Sequence, residues 1–315
     1  MNQQITYLVF GIVLLVALAL DLGLLSKKST SISIKKALVQ TMFWVALALA
    51  FFGFLWFENG HIIALEYLSA YLMEWSLSID NIFVFILIFT FFGVKEKYYA
   101  RVLLIGILMA IVLRILFISL GIELIQRFHW LLYIFGVILL YTGVKMFSAK
   151  HDEEADFDNN AVYKLLKRIL PITNEEADGK FFLRIDKKMY YTRMFVVIIM
   201  LATTDVIFAL DSIPAVFAIS QNPLVVYTSN IFAVLGLRSL FFLLRGAVNK
   251  FGYLQQGIAL VLVFIGLKML VEIFHVRIPI YISLGVIVLT IFSSILLSIM
   301  KSKRTPKPQD QTTVI

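Results

Sequence analysis

Nine apolar stretches run through this 315-residue chain, each about as long as the twenty residues an α-helix needs to cross a hydrocarbon core of roughly 30 Å. They fall at about 5–25, 37–57, 62–92, 101–121, 130–148, 193–219, 226–246, 256–275 and 279–300. With 61% hydrophobic residues against 15% charged, the chain lacks the polar side chains to coat a soluble body of its size. A soluble enzyme is thereby excluded. Lipid offers the backbone no hydrogen-bond partner, so each stretch must satisfy its own N–H and C=O groups as a helix. The sequence predicts an all-α, polytopic transmembrane bundle of about nine spans. The first span follows Met-Asn-Gln-Gln without a basic run or a small-residue cleavage site, and reads as retained.

Lys and Arg set the orientation. Over alternate connections, twenty-two fall on one side, in 26–36, 93–101, 149–193, 245–255 and the tail after Met300, and two on the other. Arg114, Lys145, Arg238 and Lys268 remain inside spans. The positive-inside rule then puts the N-terminus outside and the C-terminus in the cytoplasm. The formal charge of +8 therefore reads as membrane orientation and not as nucleic-acid binding. The expected organisation is two N-terminal helices in 1–60, a three-helix unit in 61–148, a cytoplasmic polar linker in 149–192 and a second three-helix unit in 193–275. A last helix in 276–300 and a disordered tail in 301–315 complete it. Within the linker, the acidic run from His151 to Asp158 is either a plain solvated stretch or a regulatory, metal-sensing patch.

The two three-helix units are related. Glu74-Trp-Ser-Leu-Ser-Ile-Asp80-Asn81 places two carboxylates six positions apart, and Asp205-Val-Ile-Phe-Ala-Leu-Asp211-Ser212 does the same. Arg114-Ile-Leu-Phe is echoed by Arg238-Ser-Leu-Phe, and Gly143-Val-Lys145-Met by Gly266-Leu-Lys268-Met, at Arg-to-Lys separations of 31 and 30. Because three is odd, the second unit enters the membrane from the opposite side. Two inverted three-helix repeats are thus expected, the arrangement by which many secondary transporters expose a midplane site to each side in turn.

Glu74, Asp80, Asp205 and Asp211 fall near the middle of the third and sixth spans, where each carboxylate costs roughly 2.5–3.5 kcal/mol to insert. Something must compensate. One answer is structural: Arg114, Arg238, Lys145 and Lys268 are four bases for four acids, and internal ion pairs would simply hold the bundle. The other is a cation. Ser76, Ser78, Asn81, Thr203, Thr204 and Ser212 accompany the carboxylates as neutral oxygens, with Asn230 a further candidate. This donor set suits a hard divalent ion such as Mn²⁺, Mg²⁺ or Ca²⁺ over Zn²⁺ or Cu⁺. The chain has no cysteine, and His61, His129, His151 and His275 fall in connections or at span ends.

On a continuous helix, residues seven apart nearly eclipse, so Glu74 aligns with Asn81 and Asp205 with Ser212, while Asp80 and Asp211 turn aside. A local break, favoured by Pro214 and the hydroxyls around each motif, would let all four acids converge. The bases also have a reading as gates. Arg114 and Arg238 would pair with carboxylates until a cation displaces them, and Lys145 and Lys268 would close the inner and outer mouths. Asp21 is either interfacial or an entry ligand, and Glu66, Glu123 and Glu272 are expected to be solvated at outer ends. No Walker, nucleophile-elbow, HExxH or Rossmann pattern occurs, so neither ATP-driven transport, an enzymatic site nor a prosthetic group is expected.

The run from Glu74 to Phe85 and the run from Thr204 to Ala218 resemble the two signature segments of the TerC family, closest to its Alx-like members. Asp21-Leu-Gly and the run from Thr228 to Arg238 are similar to further family segments, and the resemblance covers Leu15 to Met300. It implies an integral protein of the bacterial cytoplasmic membrane, with Mn²⁺ export the best-supported activity of the family. Tellurite resistance, metal supply to secreted enzymes and membrane-protein insertion are associated with some relatives. By the same resemblance, Glu74, Asp80, Asn81, Asp205, Asp211 and Ser212 form the cation site. The expectation is a secondary transporter whose partners are a divalent metal ion and the lipid bilayer. The rival is a non-enzymatic membrane scaffold or insertion factor that recruits proteins through 149–192.

Overall fold

In a computed structural model of the chain, the described residues are 3–25, 33–128, 130–148, 161–173, 179–185, 188–245, 253–274, 276 and 278–304. The first five helices are α1 (Gln3–Leu25), α2 (Ile34–Glu58), α3 (His61–Phe91), α4 (Glu96–Arg127) and α5 (Leu131–Ser148). A short helix α6 (Ala161–Ile169) and the strands β1 (Phe182–Ile185) and β2 (Lys188–Tyr191) follow. The chain continues with α7 (Arg193–Ile219), α8 (Pro223–Leu244), α9 (Leu254–Val271) and α10 (Ile280–Arg304). Each expected apolar stretch coincides with one long helix. By length and composition, six stretches can cross a membrane: those in α2, α4, α7, α8, α10 and α9 with its closing 3₁₀ turn. Among the described residues, Thr6–Ala17 of α1 and Leu131–Phe147 of α5 are shorter apolar stretches.

Local chemistry explains the sharp joints. Only Asn59 and Gly60 separate α2 from α3, and Gly60 takes a φ of +90° that a side chain would resist. At the other end of α3, Gly93 at φ +58° donates to Thr90 O while Val94 donates to Phe89 O, the two reversed bonds that stop a helix. The start of α8 is set by Asn222, whose side chain accepts from Leu224 N at 3.0 Å, with Pro223 in the first turn.

The central helix is α8, whose spanning stretch is 94% buried, while α10 at 17% is peripheral. A helix apolar all round belongs inside. Against α8 pack α2, α3 and α4, and Phe10, Phe51, Tyr67 and Phe232 stack there with ring centroids 5.3 to 6.3 Å apart. Helix α4 also lies along α7, and α5 lies along α9.

The α5–α9 contact is made by glycine. A Cβ at Gly266 would lie 2.8 Å from both Gly136 O and Leu140 N, and one at Gly143 would lie 2.9 Å from Ala259 O and 3.0 Å from Val263 N. These two close approaches are images of one another under a shift of 123 positions: 136 to 259, 140 to 263 and 143 to 266. Such stripes of small residues let helix backbones meet directly in lipid, where van der Waals packing drives association.

Two expectations need correction. The fold is mostly helical rather than all-α, because β1 and β2 form an antiparallel hairpin running from the Phe182–Tyr191 pair to the Ile185–Lys188 pair. The stretch 149–192 is consequently more than a polar linker. Tyr191 N donates to Pro171 O, Thr192 N to Phe181 O and Thr192 Oγ1 to Lys180 O, fastening the hairpin to the start of α7. Phe182, Tyr191 and Phe195 stack across the same joint. The acidic run 151–158 and the tail beyond Arg304 lie outside the described residues.

Candidate functional site

Of the two arrangements open to the acidic motifs, the structure takes the continuous one, since α3 and α7 both run as unbroken α-helix through them. Pro214 lies only five residues before the end of α7, where it removes one N–H without interrupting the turns that carry Asp205. Two of the hydroxyls near the motifs are engaged locally: Ser76 donates to Leu72 O and Thr203 to Ile199 O, each one turn back. Periodicity then fixes the geometry. Glu74, Ser78 and Asn81 are all buried on α3, as are Asp205 and Ser212 on α7. The side chains of Asp80, Asp211 and Asp21 lie outside the described ones.

Arg114 of α4 sits at the convergence. Its guanidinium donates through Nε to Asp205 Oδ2 at 2.7 Å and through Nη2 to Asp205 Oδ1 at 2.9 Å, a two-pronged grip on one carboxylate. Nη1 donates to Glu74 Oε1 and, at 2.6 Å, to Asn230 Oδ1 of α8. Four helices are thus joined through one side chain, with Glu74 and Asn230 at 0% and Arg114 and Asp205 at 1% relative exposure.

With every member ionised, the group carries one positive and two negative charges, a net excess of one negative charge away from water. Two of its polar atoms, Glu74 Oε2 and Asn230 Nδ2, together with the Ser78 and Ser212 hydroxyls on the helices that carry its acids, are buried without a hydrogen-bond partner among the described residues, which is uncommon for groups this deep. A carboxylate oxygen and two hydroxyl oxygens with unused lone pairs are ligands a hard cation can take. Among the described residues no three of His, Cys, Asp and Glu come together, so in this arrangement the guanidinium occupies the space between the two acids.

The remaining expected residues divide. Arg238 is buried on α8 at 3% exposure, whereas Lys145 is exposed on the surface of α5. Lys268 lines an open cavity of about 330 Å³ together with Glu66, Phe217, Ser220 and Glu272. Glu66, expected to be solvated, accepts a hydrogen bond of 2.5 Å from Ser220 beyond the end of α7. On the opposite side of the Arg114 cluster, Asp205 closes a crevice between Phe85, Leu103, Ile107, Leu201 and Val234 that is apolar and too narrow for water.

Asn230, by sequence one more oxygen donor, instead helps to hold Arg114. The signal was a lone amide well inside the most thoroughly buried helix. No such signal marked the Glu66–Ser220 pair, whose members are 154 positions apart and share no motif.

Residues 59–306, spanning both acidic motifs and all four helices of this cluster, match the integral membrane protein TerC family. The chain belongs to that family. A TerC relative in Myxococcus xanthus, an uncharacterized membrane protein, is 43% identical over 290 residues, covering 92% of this chain and 90% of its own. One from Escherichia coli strain K12, provisionally named a membrane-bound redox modulator, Alx, is 42% identical over 287 residues, with coverage of 88% and 89%. An uncharacterized membrane protein of Rickettsia bellii is 40% identical over 296 residues, covering 94% of this chain and 97% of its own. No solved structure matches the chain.

Proposed function

We infer that this TerC protein is a secondary transporter that exports a hard divalent cation, with Mn²⁺ the favoured substrate, from the cytoplasm of a bacterial cell through a midplane carboxylate site. The observation that carries this reading is the Arg114 cluster. Carboxylates from equivalent positions of two repeats meet at one buried guanidinium, and Glu74 Oε2 and hydroxyls on the same two helices have no hydrogen-bond partner among the described residues. A purely structural brace would close such a network, because a half-satisfied one is costly. A transport site must leave room in it. Glu74, Asn81, Asp205 and Ser212 are the described ligand candidates, and Asp80 and Asp211 complete the set by the motif. Arg114 neutralises the empty site, and an arriving divalent ion releases it.

The inverted repeat is supported by the pairing of α3 with α8 and α4 with α7, each the counterpart of the other, and by the mirrored glycine contacts of α5 and α9. In this arrangement the outer mouth carries Glu66, Lys268 and Glu272 and the inner crevice is dry. Arg238 answers Arg114 from the second repeat, Lys268 guards the outer mouth, and Lys145, lying exposed, contributes least to closure. A redox activity for the chain would have to run without thiols, since it has no cysteine.

The rival reading, a membrane scaffold or insertion factor, draws support from the ordered platform of α6 and the hairpin. Purified protein in proteoliposomes separates the two. Mn²⁺ flux driven by an imposed proton gradient or potential is expected, and the absence of flux for any divalent cation would refute transport.

A further inference from the structure

The platform on the α3–α7 side has chemistry of its own. Helix α6 is strongly two-sided. Tyr163 and Leu166 are half-buried, and Tyr163 meets Phe92 and Phe91 edge-on at 5.1 and 6.2 Å, at the point where α3 ends. Leu165 and Ile169, one turn apart, are 55% and 65% exposed, and Phe91, edge-on to Tyr163, is 42% exposed. Lys164, Lys167 and Arg168 are exposed on the remaining face, with no acid anywhere in the helix. Lys167 Nζ lies 4.2 Å from the Tyr163 ring centre and, with Arg193 at the first turn of α7, lines a cavity of about 500 Å³ walled by Phe91, Phe92, Ile172 and Val196.

We propose that this cavity and the outer face of α6 bind an anionic phospholipid of the adjoining leaflet. The headgroup phosphate lies between Lys167 and Arg193, and Leu165, Ile169 and Phe91 enter the acyl boundary. Position, apolar exposure and charge converge on that occupant. The cavity lies at the end of α3 and the start of α7, and membrane-spanning helices end at the level of the headgroups. A helix with a basic face and a neighbouring apolar strip lies in the interface plane, and basic cavities between helix ends take acidic headgroups. A free anion would use the two cations but leave the apolar strip unexplained. Because α6 rests on the ends of the helices that carry Glu74 and Asp205, a bound lipid braces both at once.

The test uses the full-length protein in nanodiscs and reads amide hydrogen exchange over 161–170. The discs are of phosphatidylcholine alone, of phosphatidylcholine with phosphatidylglycerol, or of phosphatidylcholine with added inorganic phosphate. A lipid at about ten times its dissociation constant slows exchange about tenfold. That slowing is expected with phosphatidylglycerol and absent with phosphate, and it should be lost in a K167Q/R193Q double variant and weakened in L165S/I169S. Exchange in α8 reports that each variant is folded, and the lipid comparison on the unaltered protein stands without them. Equal protection in both lipids, or the same protection from phosphate alone, overturns the proposal. So does protection that ignores lipid and vanishes when the acids of 152–158 are changed to amides, since that would make the chain's own acidic run the occupant. None of these readouts depends on cation transport.

Discussion

Replacing Arg114 by Gln separates a cation site from a brace most directly. The guanidinium makes four hydrogen bonds, three to carboxylate oxygens and one to Asn230. Removing one partner of a buried ion pair costs about 3–5 kcal/mol. Here a single cation answers two acids, so the upper end of that range applies. The variant should therefore be markedly less stable in chelator, with two negative charges stranded at 0% and 1% exposure. If the acids form a cation site as proposed, a divalent ion should restore part of what was lost: Mn²⁺ at about a hundred times its dissociation constant would contribute about 2.7 kcal/mol. In the unaltered protein the ion would first have to displace Arg114, so its gain should be smaller. Thermal unfolding in nanodiscs, followed by tryptophan fluorescence with chelator and with Mn²⁺, reads all four states. The expected pattern is a large loss for R114Q in chelator and a Mn²⁺-dependent rise greater than that of the parent. A loss that no divalent ion recovers would mean that Arg114 is only structural, and no loss at all would refute the buried-charge argument itself.

Three other outcomes follow from the same geometry. Asp205→Asn keeps the shape of the side chain but removes one charge from the cluster, so abundance should stay near normal while Mn²⁺ tolerance of cells falls; equal loss of both, on immunoblot and growth assay, favours the scaffold. Asn230→Ala removes a hydrogen bond to a charged group, worth about 1.5–3 kcal/mol, and should lower unfolding temperature less than R114Q does. Gly266→Ala would place a methyl 2.8 Å from Gly136 O and Leu140 N and should cost about 1–3 kcal/mol by overpacking. Gly53→Ala, inside α2 with nothing within 4 Å, is its uncrowded control and should gain helix propensity without a clash.

The positions of the long helices were legible because lipid imposes a length and a polarity that single residues cannot hide. The joint burial of Glu74 with Asn81 and of Asp205 with Ser212 was legible too, since seven positions make nearly two turns wherever the helix stays continuous. The convergence on Arg114 was not. Four bases and four acids allow many pairings, and only the crossing of α3, α4, α7 and α8 selects Arg114 with Glu74 and Asp205. The α6 platform escaped notice for a different reason. Nine helical residues and two strands of four are below the length at which periodicity speaks, and their bonds run to Pro171, Lys180 and Phe181.

The glycine contact between α5 and α9 has a mechanical consequence. A joint whose two halves press on each other through equivalent atoms, Gly136 O and Leu140 N on one side and Ala259 O and Val263 N on the other, looks the same when the halves trade places. If the two halves exchange roles as the proposed transport cycle requires, it acts as a symmetric bearing: helices above and below it would rock in opposite senses while the bearing surface is merely relabelled, so the packing there would favour neither end of the stroke. Differences between the two ends must then be written elsewhere, in positions where the halves disagree. Asn230 is such a position: its counterpart 124 residues earlier is Gly106, which has no side chain to hold an arginine.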